Sequence, residues 1–298
     1  MAFKFESGDG SVAAALRRLA LEQIDGALGH LADPGVGDVE KIHAARRRCK
    51  KLRGLVRLVR PGFPDYRVEN AAIRDAAAAL SQARDAEVLV QTYDGLVGSA
   101  GETADLSREV LLRRRDRAER ERDPAAVLHD FGKDLAAIRE RAQAWHLEAE
   151  GFAAIGPGFA DTYRLARRAM ARARKTHQAE HFHEWRKQVK YFGFQAALLR
   201  DADPELLKPM RKKAEHLAEL LGEHHDLAVL ESTMAPDPSA FGSDGDIGLL
   251  VGRARERQAG RAAEALALGA ELFGAKPRDL LRRLEAAWQA WRRPMAAE

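Results

Sequence analysis

Two basic segments of this chain match each other at a constant spacing, and this repeat limits the folds that the chain can adopt. KIHAARRRCKKL begins at Lys41, HFHEWRKQVKYF begins at His181, and a His-x-x-Arg pair occupies the same place in both. The two histidines of these pairs, His43 and His183, are 140 positions apart (183 − 43). Self-similarity of this kind is typical of a fold built from repeated units.

A second pair of segments follows the first pair in the same order. LSQARDAEV contains Asp85 and LGEHHDLAV contains Asp226, and these aspartates are 141 positions apart (226 − 85). Two matched motifs at nearly the same spacing predict a single domain, 1–298, made of two similar halves, about 1–150 and about 151–298. We expect a pseudo-twofold axis to relate these halves.

The composition predicts that both halves are helical. Ala, Leu, Arg and Glu dominate, aromatic residues make up only 6% of the chain, and Gly and Pro interrupt about ten helical stretches. One stretch runs from about Asp65 to Leu96, and another begins at Asp123-Pro124 and continues to about Glu148. EGFAAIGPG, residues 150–158, is the predicted boundary between the halves. The fold class is therefore all-α.

Each basic segment becomes a charged stripe when it is placed on a helix with about 100° per residue. The first stripe comprises His43, Arg46, Arg47, Lys50 and Arg57, with Arg53 at its edge. The second comprises His183, Arg186, Lys187 and Lys190. The opposite arcs are apolar and include Cys49, which predicts that this only cysteine is buried in the core.

Rows of like charge require a compensating partner, because cations at i, i+3 and i+4 repel each other by a few tenths of a kcal/mol per pair. Solvation, or pairing with carboxylates such as Asp85 and Asp226, is one explanation. An anionic ligand is the other, and two matched stripes favour it. Arginine and lysine both bind phosphate, and a row of them suits a repeating phosphate. Apart from Tyr191, the stripes lack the aromatic residues and amides that read bases, which argues against nucleic acid and for inorganic polyphosphate.

The two motif pairs resemble the two halves of the CHAD domain, a conserved histidine α-helical domain, over about Ser11 to Arg293. This resemblance implies two helical bundles with a basic groove or pore between them that binds inorganic polyphosphate without catalysis, cofactor or metal. Carried over position by position, it implies that polyphosphate is bound by His43, Arg46, Arg47, Lys50, His183, Arg186, Lys187 and Lys190, and by Arg164, Arg167 and Arg168 of the basic segment YRLARRAMARARK. Two positions depart from the repeat, because His225 replaces the arginine found at Arg84, and Gly193 stands where Arg53 stands in the first half.

The remaining side chains near the stripes have predicted supporting roles. Asp85 and Asp226 are expected to hold the arginines in place. His43 and His183 are expected to gain a proton beside phosphate, so that binding strengthens as the pH falls through the neutral range.

Three other functions stay open at this stage. EHHDL, residues 223–227, fits part of a metal-dependent phosphohydrolase site, although the surrounding cations would repel a metal ion. A nucleic-acid-binding helical protein and a protein that associates with storage granules are the other two. The single cysteine excludes an intramolecular disulfide and a Cys-rich metal site, and there is no apolar segment long enough to span a membrane. We therefore expect a cytoplasmic protein. The resemblance to the CHAD family implies an association with polyphosphate granules. Partner proteins stay unknown.

Overall fold

The computed structural model describes residues 3–80, 82–97, 102–120 and 123–292, and side chains except those of 82–85, 102–105, 118 and 119. Within these ranges the chain forms α-helices and short 3₁₀ turns and no strand, which confirms the all-α prediction. The helices are α1 (Val12–Ala32), α2 (Asp38–Leu58), α3 (Tyr66–Ala79), α4 (Gln82–Val97), α5 (Glu102–Arg120), α6 (Pro124–Ala142), α7 (Gly156–Thr176), α8 (Ala179–Leu199), α9 (Pro204–Met234), α10 (Asp244–Leu272) and α11 (Pro277–Trp291). None of the described helices combines the length and the apolarity that crossing a membrane requires.

Local capping explains why the helices begin where they do. The Ser11 hydroxyl accepts a hydrogen bond from the backbone N–H of Ala14 at the start of α1 (3.0 Å). The carboxylate of Asp123 accepts from the backbone N–H groups of Ala125 and Ala126, and Pro124 occupies the first helical position of α6. The predicted helix start at Asp123-Pro124 is confirmed.

Two predicted helices are shorter than the sequence pattern indicated. The stretch from Asp65 to Leu96 is divided between α3, which ends at Ala79, and α4, which begins at Gln82. The helix expected to reach Glu148 ends at Ala142, because tertiary contacts turn the chain. Trp145 packs against Phe63, with ring centroids 5.2 Å apart, and the N–H of Glu148 donates to the carbonyl of Gly62 (2.9 Å).

The main core is built on the apolar faces of α2 and α8. Cys49, Leu52 and Val56 of α2 are buried, and so are Trp185 and Phe192 of α8. Burial raises the pKa of the Cys49 thiol to about 12, so this residue behaves as a small apolar side chain, as predicted. Each fully buried side chain of this size contributes about 1.5–3 kcal/mol, which holds both helices with their basic faces turned away from the core.

Glycines allow the central helices to approach closely. A Cβ atom on Gly54 of α2 would lie 3.0 Å from the Cβ of Phe194 of α8. The Nε2 amide of Gln195 donates to the carbonyl of Gly54 (3.3 Å), so this buried contact is also hydrogen-bonded. At the end of α2, a Cβ on Gly158 of α7 would lie 1.9 Å from the carbonyl oxygen of Leu58.

A second, smaller core joins α4 and α5 to the C-terminal end of α9 and the N-terminal end of α10. Val90 and Tyr93 of α4 are buried with Leu230 and Met234 of α9 and with Phe241. The buried Ser107 hydroxyl of α5 donates to the carbonyl of that same phenylalanine (2.7 Å). This core positions α4 against α9, although α4 belongs to the first half of the sequence.

The contact between α7 and the end of α2 predicts a strong effect of one added methyl group. Gly158→Ala forces a side-chain carbon onto a backbone oxygen that cannot rotate away, so we expect a loss of about 2–3 kcal/mol in the free energy of unfolding. Gly252→Ala on α10 is the matched control, because its Cβ meets no atom within 4 Å and alanine favours a helix by up to about 1 kcal/mol. Urea unfolding measures both, and equal stabilities would contradict the proposed contact.

Candidate anion-binding site

A cavity of about 400 Å³ lies between α2, α4, α8 and α9. Six of its described lining residues are lysines or arginines and two are histidines. The full lining comprises Arg46, Lys50, Arg53, Val88, Leu89, His183, Arg186, Lys187, Lys190, Tyr191, Phe194, His225, Asp226 and Val229. The structure therefore brings together cations from both matched segments, which are distant in the sequence.

Helix α2 supplies Arg46, Lys50 and Arg53, which follow each other at helical spacing along one face. The Nε of Arg53 donates to the side-chain oxygen of Asn70 (3.2 Å), and its guanidinium lies 5.6 Å from the ring centroid of Tyr191. Burial lowers the pKa of Arg53, and the positive charge of Arg57 lowers it further. This helix thus presents partly desolvated positive charge to the cavity, a state that a bound anion would stabilise.

Helix α8 supplies His183, Arg186, Lys187 and Lys190 from the second matched segment. The guanidinium of Arg186 lies against α9, where its Nε donates to the carbonyl of Ala218 (3.4 Å). Gly222 makes this position possible, because a Cβ there would lie 2.9 Å from a terminal guanidinium nitrogen.

Lys187 of α8 is exposed and forms an ion pair with Glu184 of the same helix. The Glu184 carboxylate also accepts a hydrogen bond from the side-chain amide of Gln188 (2.7 Å). Part of the charge of Lys187 is therefore neutralised within α8 itself.

A histidine cluster lies where α8 meets the later part of α9. The rings of His183 and His225 are 4.2 Å apart between centroids, and His224 stacks on Phe182 at 4.3 Å. Burial and then the neighbouring His225, Lys187 and Arg186 lower the pKa of His183 to about 4. Burial also lowers the pKa of His224 to about 4, with a contribution from His225. His183 is therefore neutral at pH 7 in the free protein, so its share of the expected strengthening of anion binding moves to a lower pH, whereas the share of His43 stays a prediction.

Six of the predicted binding residues lie outside the cavity lining. His43 and Arg47 are exposed on α2, and Arg57 stacks on Tyr191 with 4.3 Å between guanidinium carbon and ring centroid. The other three are on α7, whose buried face packs on α2 and α8 and whose cations point outward.

The α7 cations have partners of their own or face the surface. Arg164 pairs with Asp161 (2.7 Å), Arg167 donates to the carbonyl of Ala275 (3.1 Å), and Arg168 is exposed. None of these three arginines is in the cavity lining, and their predicted role in binding stays a prediction.

The two predicted supporting aspartates differ in what the structure describes. Asp226 lines the cavity beside the cations. The side chain of Asp85 lies outside the described side chains, so its predicted role stays a prediction.

Several lining residues were not predicted from the sequence. His225 was regarded as a departure from the repeat and as part of the EHHDL segment, yet its 141-residue offset from Arg84 places it at a matched position. Phe194 and Leu89 carry no charge and stand outside the basic stripes, and Val88 and Val229 were indicated only as matched positions of the second motif pair. In the described part of the chain, no three His, Cys, Asp or Glu side chains are grouped so that they could hold a metal ion.

The fold and the site together define an all-helical protein with a cation-lined cavity. The sequence model of the CHAD domain matches residues 18–235, which is well over half of the chain. This protein therefore belongs to the CHAD domain family. The match spans α2, α4, α8 and α9, the four helices that line the cavity, and ends before α10.

One solved structure extends the similarity beyond the matched residues. The crystal structure of the CHAD domain from the plant Ricinus communis has a TM-score of 0.61 to this chain at 19% sequence identity. The similarity covers 93% of this chain and 96% of that chain, so it supports the fold over nearly the full length. No curated protein sequence matches the chain significantly.

The buried histidines predict a loss of stability between pH 6.5 and pH 4. Folded His224 and His183 gain a proton only near pH 4, whereas unfolded histidine does so near pH 6.5. The unfolded chain thus binds more protons than the folded protein between pH 6.5 and pH 4. The contribution of the two histidines to the free energy of unfolding is therefore fully present above pH 6.5 and is lost as the pH falls. Replacing His224 with Phe should reduce this slope by about half. Urea unfolding at pH 7, 6 and 5 measures it, and an unchanged slope in the variant would contradict the assignment.

Proposed function

We propose that this protein binds inorganic polyphosphate in the cavity and that it is not an enzyme. The observation that carries the proposal is the lining of one cavity by six lysines and arginines from α2 and α8. A polyanion that replaces scattered counterions would relieve the repulsion among these cations and release the counterions. Phosphate is the anion best matched to planar guanidinium forks beside lysine ammonium groups.

The repeat supports a ligand that extends across both halves of the chain. Arg46 and Arg186 are 140 positions apart, as are Lys50 and Lys190, and all four line the same cavity. We regard α2 and α8 as equivalent walls of one basic groove, related by the pseudo-twofold axis that the sequence predicts. A repeating phosphate chain suits such a groove better than a single phosphate does.

Nucleic acid is the main competing ligand, and the dimensions of the site argue against a duplex. A cavity of about 400 Å³ cannot admit a double helix, whose major groove alone is about 12 Å wide. Single strands commonly bind through bases stacked on aromatic rings. The ring of Tyr191 already has the guanidinium groups of Arg53 and Arg57 beside it, which limits its use for stacking.

The proposal of a non-catalytic role rests on the family and on the site's charge. The EHHDL segment places His225 and Asp226 beside lysines and arginines, which favour an anion over a divalent cation. The purified protein can be incubated with long-chain polyphosphate, with and without added Mg²⁺ or Mn²⁺. Release of orthophosphate would overturn the proposal that the protein is not an enzyme. Association with polyphosphate granules in the cytoplasm would follow from binding alone.

Charge reversal at one cavity lysine is expected to weaken polyphosphate binding. Lys190→Glu removes one phosphate contact and adds a repulsive charge, so affinity should fall about 10- to 100-fold and the slope of log K against log salt should decrease by about 1. Lys133→Glu on α6 makes the same charge change at a 65% exposed side chain outside the cavity and should bind within about twofold of wild type. Isothermal titration with long-chain polyphosphate measures the affinity of both variants. Equal losses of affinity in the two variants would contradict the assignment of the cavity as the binding site.

Chain length and competition test the nature of the ligand. A groove lined from both halves predicts affinity that rises with the number of phosphates and levels off once the cavity is filled. Duplex DNA at equal phosphate concentration is expected to leave labelled long-chain polyphosphate bound, because the duplex cannot enter. Fluorescence anisotropy follows both experiments, and displacement by the duplex would favour a nucleic-acid-binding protein instead.

A further inference from the structure

On the α4 side the cavity lining is apolar, and inorganic polyphosphate has no group that could use this surface; Phe194 of α8 is a separate apolar residue of the lining. Val88 and Leu89 are the described lining residues of α4, and Val229 is the apolar lining residue of α9. Leu89 and Val229 are only partly buried, so their side chains keep exposed apolar surface. Apolar surface in a small cavity is typical of sites for organic ligands.

The packing of α8 on α9 shows where this apolar surface lies relative to the cations. His183 meets His225, and Arg186 meets Ala218 and Gly222, so the contacts on α9 move toward lower numbers as α8 advances. The two helices are therefore antiparallel. Val229, one turn after His225, extends past His183 at the opposite end from Lys190.

Helix α4 adds to the same end of the cavity, because it packs on α9 through the second core. Val90 of α4 and Leu230 of α9 are buried together there, and each directly follows a lining residue, Leu89 and Val229. We define Val88, Leu89 and Val229 as the apolar end of the cavity. His183 and His225 lie between this end and the cations.

The histidine pair suits a flat, weakly polar group more than another phosphate. The imidazole of His183 is uncharged at neutral pH and lies 4.2 Å from that of His225, which gives the apolar end an aromatic border. From His183 to Lys190 the axis of α8 advances by about 10 Å, which is of the order of a triphosphate chain. The charges that face His183 are Lys187, Arg186 and Glu184 on α8, and the α2 and α9 lining adds Arg46, Lys50 and Asp226.

From this arrangement we infer that the cavity binds nucleoside triphosphates, with the base at the apolar end and the phosphates along the cations of α2 and α8. The inference rests on the proposed phosphate-binding function of the same cavity. It assigns Val88, Leu89 and Val229 a role in selecting the organic part of the ligand. Stacking and apolar contact with a base are sequence-tolerant, so we expect little discrimination between purines.

Comparison of two triphosphates of equal charge tests the inference on the unaltered protein. ATP and methyl triphosphate are titrated into the full chain by isothermal calorimetry at fixed pH and salt, without divalent cations. We expect ATP to bind about 10-fold tighter, which corresponds to about 1.4 kcal/mol. Equal or weaker binding of ATP overturns the inference, whereas tight binding of long-chain polyphosphate in the same buffer would leave the proposed function standing. If none of the three ligands binds, both the inference and the proposed function are wrong.

A double variant assigns the preference to the apolar end. Val88→Ser with Val229→Ser should weaken ATP binding to the level of methyl triphosphate and leave methyl triphosphate and polyphosphate unchanged. The matched control is Val39→Ser with Val68→Ser, two valines that are 75% and 64% exposed and lie outside the cavity lining, and it should behave as wild type. Retention of the ATP preference by the cavity variant would contradict the placement of the base.

A spectroscopic measurement on the wild-type protein covers the case in which the double variant does not fold. Saturation of the protein methyl resonances should transfer to the adenine protons H2 and H8 more strongly than to the ribose protons, because the base contacts valine and leucine side chains. Stronger transfer to the ribose, or none to the base, would contradict the inference.

Discussion

The structure depends on a balance between two faces of the same helices. On α2 and α8, one face carries the lysines and arginines of the cavity lining, and the opposite face packs into the core. Two like charges about 6 Å apart repel by about 3 kcal/mol at an effective dielectric constant of 20. Burial of Trp185, Phe192 and Leu52 contributes about 1.5–3 kcal/mol each, which is comparable in size to one such repulsion.

Close helix contacts turn this balance into a defined cavity. Gly158 lets α7 approach α2 at a distance that a side chain would prevent, Gly54 relieves a tight contact between α2 and α8, and Gly222 lets Arg186 lie along α9. The second core then places α4 against α9 and closes the remaining side of the cavity. The chemistry of the site therefore depends on packing contacts made by residues that carry no charge themselves.

Features that depend on a single helix were predictable from the amino-acid sequence. The burial of Cys49 and Trp185 and the shared face of Arg46 and Lys50 follow from helical periodicity alone, because side-chain direction within a helix depends only on position. Features that depend on contacts between distant segments were not. The helix expected to reach Glu148 ends at Ala142, because Trp145 packs on Phe63, a contact that no local pattern indicates.

The amino-acid sequence by itself determined that α2 and α8 each have a basic face and an apolar face, and it determined the spacing that matches them. Only the tertiary structure decided that residues from these faces line one cavity, that Arg164 and Arg167 of α7 have partners outside its lining and that α4 supplies apolar residues to it. It also decided that His183 is neutral at pH 7, because its pKa depends on burial and on His225, which is 42 positions away (225 − 183). Periodicity describes the directions of side chains about one helix axis, whereas burial and electrostatic interactions depend on which helices pack together.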